Sequence, residues 1–144
     1  MAVEPERLLY DELCAYTLTH GDVAFVHQHV VDAFTAQRAT PATRPMQLVF
    51  AVVGLYLHVK REFSGRQVQR AHTMMARVKR PWPSIALPSD RGLMTAGDVM
   101  AVHPGADRDL AIDRWCEAVW QAYAASEPTV LQLLREYQIG QLVR

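Results

Sequence analysis

Histidine is the residue type in this chain best suited to chemistry, because its neutral ring binds metal ions and exchanges protons near neutral pH. Three of the six histidines, His27, His58 and His72, fall on three consecutive predicted helices. Helical bundles build metal sites in this way, with one or two ligands from each of several helices. We therefore predict that these residues form a triad around one divalent zinc, iron, nickel or manganese ion, with His29 and His20 as alternative ligands.

Two alternatives to a metal site stay open, because the histidine spacing contains no HExxH or ExxH pattern. The first is metal-free binding or acid-base catalysis of a small molecule in the same cavity. With or without a metal, Glu12 and Asp32 are the predicted catalytic carboxylates. The predicted substrate-binding residues are Tyr16, Tyr56 and Trp82. The second alternative is a non-catalytic interaction module, in which the histidines are ordinary buried side chains.

The segment that carries two of the histidines, Gly21 to Gln37, has the sequence GDVAFVHQHVVDAFTAQ. With Asp22 as N-cap and no later proline or glycine, it predicts one helix of about four turns. On a regular helix His27 and His29 point about 200° apart, so they are poor ligands for one ion. Both faces are partly apolar, which predicts that neighbouring helices enclose this helix, or that a homodimer interface covers it.

Further helices are predicted over residues 5–19, 45–63, 65–79 and 107–125, with a short helix after Thr95 and a terminal helix capped by Ser126. The predicted helix over residues 45–63 is apolar on every side between Leu48 and Leu57, as expected for a central helix. Residues 80–94 contain three prolines and predict a loop packed over one end of the bundle. We predict one all-α domain over residues 1–144, a compact bundle of five to six helices with its core at about 5–138.

Composition narrows the class of protein further. Half of the 144 residues are apolar, and 15 basic residues balance 15 acidic ones, which argues against nucleic acid as the main partner. Cys14 and Cys116 have no CxxC spacing and are predicted to be free thiols. The N-terminus lacks a signal-peptide profile, and the longest apolar run is too short for a bilayer. We predict a cytoplasmic protein that binds a small molecule and neither nucleic acid nor membrane.

Several segments of the chain resemble the successive blocks of a bacterial family that is catalogued as a domain of unknown function. The segments are YDELCAYTLTHGD, FVHQHVVDAFTAQ, GLYLHV, SGRQVQRAH, KRPWPS and DRWCEAVWQAY. The resemblance extends from about Tyr10 to Tyr123. It implies no established activity and no assigned catalytic residues, so the functional argument rests on the residues themselves.

Overall fold

The protein is an all-α domain, as the sequence predicts. The computed structural model describes residues 4–19, 24–78 and 80–137, and within these ranges the chain forms seven α-helices, one short 3-10 helix at Ala124–Ser126 and no strand. The helices are α1 Pro5–Thr19, α2 His27–Gln37, α3 Pro45–Arg61, α4 Gly65–Ala76, α5 Ala96–Ala101, α6 Ala106–Ala122 and α7 Glu127–Tyr137. In the described part of the chain, no helix is long and apolar enough to cross a membrane.

Helix α3 is the centre of the bundle. Its residues from Ala51 to Leu57 are all buried, and helices α2, α4, α6 and α7 pack around it. A helix that is apolar on every side gains most when every side is covered, which is the physical reason for this position. Helix α1 lies outside this group and packs on α2 and α5.

Helix α2 begins later than the sequence predicts. Phe25 has a left-handed backbone, with φ of 59°, and the first α-helical residue is His27. The preceding turn packs on the start of α4, where the Arg66 N–H donates to the Ala24 carbonyl at 2.9 Å. A Cβ on Gly65 would lie 1.7 Å from the Phe25 carbonyl oxygen, so only glycine allows this close approach.

Capping boxes are present at the starts of α4 and α5. The Ser64 hydroxyl accepts from the Gln67 N–H, and the Gln67 side chain accepts from the Ser64 N–H at the start of α4. Thr95 and Asp98 make the same exchange at the start of α5. Because each box satisfies otherwise unpaired N–H groups, the start of each helix is fixed by local sequence.

The proline-rich loop packs over the end of α2, as predicted. The Gln37 amide nitrogen donates to the carbonyls of Arg91 and Met94, at 3.2 and 2.7 Å. Its amide oxygen accepts from the Trp115 indole at 2.9 Å, while the Arg91 guanidinium donates back to the Ala39 carbonyl. One glutamine thus connects α2, the loop and α6.

Candidate functional site

A cavity of about 560 Å³ lies between helices α2, α3, α4 and α6, and we call it the histidine cavity. Its volume falls within the usual range for small-molecule sites, about 300–1,000 Å³. The polar side chains that line it are His29, His58, Glu62, Ser64, Gln67, Asp113 and Glu117. The two imidazoles form the inner wall, and the three carboxylates are on exposed residues.

The two histidines are stacked. Their ring centroids are 3.5 Å apart and the planes differ by 17°. His29 lies on the side of α2 that faces α3 and is 4% exposed, whereas the His58 side chain is 18% exposed. The stack therefore joins a buried ring to one that reaches the cavity mouth.

His58 is held by both of its ring nitrogens. Nδ1 lies 3.1 Å from the Phe63 carbonyl oxygen, and Nε2 lies 2.9 Å from Asp113 Oδ1. Carbonyl and carboxylate oxygens only accept, so the ring satisfies both contacts when both nitrogens carry a proton. The left-handed backbone of Glu62, with φ of 56°, ends α3 and turns the chain just before Phe63. The ring orientation is therefore set by the end of its own helix and by α6.

His29 is the neutral member of the stack. Burial, together with the charge of His58, lowers the pKa of His29 to about 3, and Asp113 opposes this only weakly. Its Nδ1 is buried and forms no hydrogen bond with any residue that the structure describes. A buried polar atom in this situation costs about 1–3 kcal/mol, so the site is not optimised for stability alone.

The rim of the cavity is acidic. Asp113 pairs with His58 and its side chain is 59% exposed, while Glu62 and Glu117 are exposed on either side. When His58 is charged, its charge cancels that of Asp113, and two further carboxylates remain. The field at the mouth therefore favours a molecule that carries a positive charge.

The predicted triad of His27, His58 and His72 is not assembled. His27 Nδ1 lies 3.0 Å from the Thr17 hydroxyl of α1, and His72 Nε2 donates to the Phe50 carbonyl at 2.7 Å. Within residues 4–19, 24–78 and 80–137, no three histidine, cysteine, aspartate or glutamate side chains could hold a metal ion together. The triad is not assembled because His27 and His29 point in opposite directions from α2. His29 is the one that faces α3, where His58 lies. Metal binding stays a prediction.

The two predicted catalytic carboxylates lie apart from the histidine cavity. Glu12 is exposed on α1. Asp32 is buried, lies beside Gly54 of α3 and lines a separate cavity together with His72. The alternative ligand His20 and the predicted N-cap Asp22 fall outside the described residues. The carboxylates that do accompany the stacked histidines come from the end of α3 and from α6.

The three predicted substrate-binding aromatic residues also have other neighbours. The Tyr16 hydroxyl accepts from the Gly105 N–H at 2.9 Å. Tyr56 is 7% exposed and packs edge-on against Trp120 in the core. Trp82 of the proline-rich loop contacts the Phe50 ring, with centroids 5.2 Å apart. None of the three is among the residues that line the histidine cavity.

Sequence reasoning missed Asp113, Glu117 and Glu62. Asp113 and Glu117 are one turn apart on the polar side of α6, which is the pattern of an ordinary solvated face. The local signal that points to them is that they border the buried face of an amphipathic helix. Only the packing of α6 against α3 turns that border toward His58.

The fold and the site define a small all-α domain with a stacked histidine pair in a cavity between its helices. A family model, DUF5946, described as a family of unknown function, matches residues 7–124. The chain therefore belongs to this family, in agreement with the resemblance seen in its sequence. No curated protein and no solved structure matches the chain.

Proposed function

We propose that this protein is an enzyme that binds a small, positively charged molecule in the histidine cavity and transfers a proton to it from His58. The observation that carries this proposal is the contact of His58 with both Asp113 and the buried ring of His29 beside a cavity of about 560 Å³. A proton donor, its counter-ion and space for a ligand thus occur together.

His58 is the proposed general acid. The Phe63 carbonyl holds Nδ1–H, so Nε2 is the nitrogen that is free to exchange its proton. Asp113 faces Nε2 and is largely exposed, so its side chain can rotate toward solvent when a ligand enters. The proton would pass from Nε2 to the ligand, and water would return a proton to the ring by way of Asp113.

His29 is the proposed positioning residue. Two imidazolium rings at a centroid distance of 3.5 Å would repel each other, so the stack holds one charged ring at a time. Burial lowers the pKa of His29 to about 3, so His29 is the ring that stays neutral. The neutral His29 ring keeps the His58 ring oriented. A second charged ring at this distance would promote release of the His58 proton more strongly than the neutral ring does.

The acidic rim supports a cationic ligand. Glu62 and Glu117 are exposed near the mouth and form none of the ion pairs seen in the described residues. A primary amine or guanidinium group would be attracted to them. The reacting atom of the ligand would then lie on the inner side, next to His58.

The first test is a binding screen on protein labelled with ¹⁵N in its histidine rings. Primary amines and guanidines are added one at a time, and carboxylates of the same size serve as the matched opposite class. We expect saturable shifts of the His29 and His58 resonances with the cations. The variant His58→Phe keeps a ring for the stack but lacks both nitrogens, and His27→Phe is the matched control on the opposite face of α2.

Turnover is tested on the compounds that bind. Mass spectrometry would compare the products formed by the native protein and by His58→Phe, and we expect a rate loss of about 10²–10⁴-fold, the usual contribution of a general acid. Equal turnover by both proteins would refute the assignment of His58. Binding of cations without any turnover would instead support the interaction module.

A further inference from the structure

A second cavity lies between helices α2, α3 and α4. Its volume is about 390 Å³, and it shares no lining residue with the histidine cavity. We call it the arginine cavity. Its apolar wall includes the Phe50 ring, and its polar lining comes from Gln28, Asp32, Thr35, Arg44, Gln47 and His72.

Arg44 gives this cavity a positive charge. The residue is exposed, is the N-cap of α3, and forms none of the ion pairs seen in the described residues. The first turn of α3 contains no acidic residue, so the positive end of the helix adds to the charge of the guanidinium. An anion is therefore attracted to this cavity, whereas the acidic rim of the histidine cavity repels it.

Asp32 is the one acidic residue of the lining, and it does not oppose an anion. Its side chain is buried, with Oδ2 beside Gly54, and Oδ1 accepts from the Gln28 amide at 3.0 Å. Burial raises the pKa of Asp32 well above its ordinary value of 3.8, so the neutral acid is the stable form. Asp32 thus adds no negative charge to the cavity.

His72 supplies a hydrogen-bond acceptor. Its Nε2 donates to the Phe50 carbonyl at 2.7 Å, so this nitrogen carries the ring proton. Burial lowers the pKa of His72 to about 4, so the ring is neutral at physiological pH and Nδ1 keeps a lone pair. In the part of the chain that the structure describes, Nδ1 has no partner, and unlike Asp32 Oδ2 it retains accessible surface. A ligand that donates a hydrogen bond would satisfy this atom.

The arginine and the histidine are separated along α3. Arg44 precedes Phe50 by six positions in the sequence, which is roughly 9 Å of helix axis. The His72 ring lies beside Phe50, with ring centroids 5.1 Å apart, and the Phe50 ring is part of the cavity wall. A ligand that reaches both groups therefore needs its anionic group and its donor at opposite ends of an apolar body.

We propose that the arginine cavity binds a small organic carboxylate that carries a hydrogen-bond donor at its far end. The carboxylate pairs with the Arg44 guanidinium, and the donor bonds to Nδ1 of His72. The body of the ligand packs on the Phe50 ring. An ammonium ligand would meet Arg44 as a like charge, and an uncharged ligand would gain nothing from it, so both bind less tightly.

The test uses para-hydroxybenzoate and meta-hydroxybenzoate as probes of the full chain. The matching hydroxybenzamides lack the charge, benzoate lacks the donor, and para-hydroxybenzylamine has the opposite charge. Backbone amide resonances report binding at the arginine cavity and at the histidine cavity separately.

Three variants separate the two contacts. Arg44→Gln removes the charge at similar length, and Arg77→Gln is the matched control at an exposed arginine outside the cavity lining. His72→Phe keeps a ring and lacks Nδ1. The ¹⁵N resonance of Nδ1 in the native protein reports the same hydrogen bond without any substitution, so a His72→Phe protein that does not fold leaves this contact testable.

We expect the hydroxybenzoates to shift resonances around Arg44, Phe50 and His72, and to bind at least about fivefold more tightly than their amides. Arg44→Gln should remove this preference, and Arg77→Gln should keep it. The hydroxyl group should add at least about threefold over benzoate in the native protein, whereas His72→Phe should bind the two kinds of acid equally.

Equal binding of acids and amides by the native protein would overturn the proposal, and so would a preference for acids that survives in Arg44→Gln. Tighter binding of para-hydroxybenzylamine than of the acid would overturn it as well, because the cavity would then select a cation. The same holds for a hydroxyl advantage that persists in His72→Phe, and for the absence of shifts around Arg44, Phe50 and His72 with both hydroxybenzoates. His58→Phe should leave binding of the acids unchanged, which keeps this result independent of the proposed function.

Discussion

His29 and His58 form a stacked pair with ring centroids 3.5 Å apart, and among the described residues both ring nitrogens of His58 have partners whereas Nδ1 of His29 has none. His29 belongs to α2 and His58 to α3, so the stack also joins the two helices that define the bundle centre. The arrangement makes several predictions about stability and pH, because each buried ionisable group binds protons differently in the folded and the unfolded chain.

The first prediction concerns acid. The pKa of His29 is lowered to about 3 and that of His72 to about 4, from 6.5 in the unfolded chain. Between the lowered pKa of each histidine and 6.5, the unfolded chain binds more protons than the folded chain. The free energy of unfolding therefore falls as the pH drops below about 6.5, by up to about 1.4 kcal/mol per pH unit for each histidine. Urea denaturation from pH 7 to 4 measures this slope. We expect His29→Phe to flatten this slope, whereas Gln121→Leu, at an exposed position without an ionisable group, should not.

The second prediction concerns Asp32, whose pKa is shifted the opposite way. Burial raises it well above 3.8, so above that pH the folded chain binds more protons than the unfolded one. The pH dependence is therefore opposite to that of the two histidines: Asp32 makes the folded state less stable as the pH rises. Asp32→Asn removes the ionisation, and its free energy of unfolding relative to the native protein should increase between pH 5 and 8. A constant difference across this range would contradict the acid form of Asp32.

The third prediction tests the contact between Asp32 and Gly54. Gly54→Ala places a Cβ 2.0 Å from Oδ2 and 3.1 Å from Val68 Cγ1, so we expect a loss of about 1–3 kcal/mol in the free energy of unfolding from overpacking. Asp32→Ala should relieve the clash. A double-mutant cycle would show this as a cost of Gly54→Ala that is smaller when Asp32 is absent. Simple additivity would mean that the two positions do not meet.

The fourth prediction concerns the proline-rich loop. Gln37→Leu has similar volume but leaves the Arg91 and Met94 carbonyls and the Trp115 indole without their partner. We expect a loss of about 1–3 kcal/mol in the free energy of unfolding and faster limited proteolysis within the loop. Gln121→Leu, at an exposed position of α6, is the matched control. Equal proteolysis of the two variants would show that Gln37 does not hold the loop.

The fifth prediction separates the histidines as metal ligands. Elemental analysis before and after dialysis against a chelator would measure any zinc, iron, nickel or manganese. Because His27 contacts Thr17 and His72 contacts the Phe50 carbonyl, we expect His27→Ala and His72→Ala to leave the metal content unchanged. Loss of metal in each of the variants His27→Ala, His58→Ala and His72→Ala would instead support the predicted triad.

Much of the fold follows from local sequence. The two capping boxes, the proline in the first turn of α3 and the apolar periodicity of α6 are signals within one or two helical turns, so they predict where these helices lie. The apolar run of α3 likewise predicts a central helix. The opposite directions of His27 and His29 follow from helix geometry alone, and the structure has them on different neighbours.

The site depended on tertiary structure. His58 and Asp113 are separated by 55 positions in the sequence, and no local pattern says which face of α6 meets α3. Phe25 lies outside α2 and its carbonyl packs on Gly65 of α4, a contact that the sequence of α2 alone does not reveal. Residue types and helix faces are local properties, so the sequence by itself determined an all-α chain with histidines directed inward from several helices. Which histidines meet, and which carboxylates accompany them, was decided by how those faces pack together, because burial of apolar surface acts on the whole bundle at once.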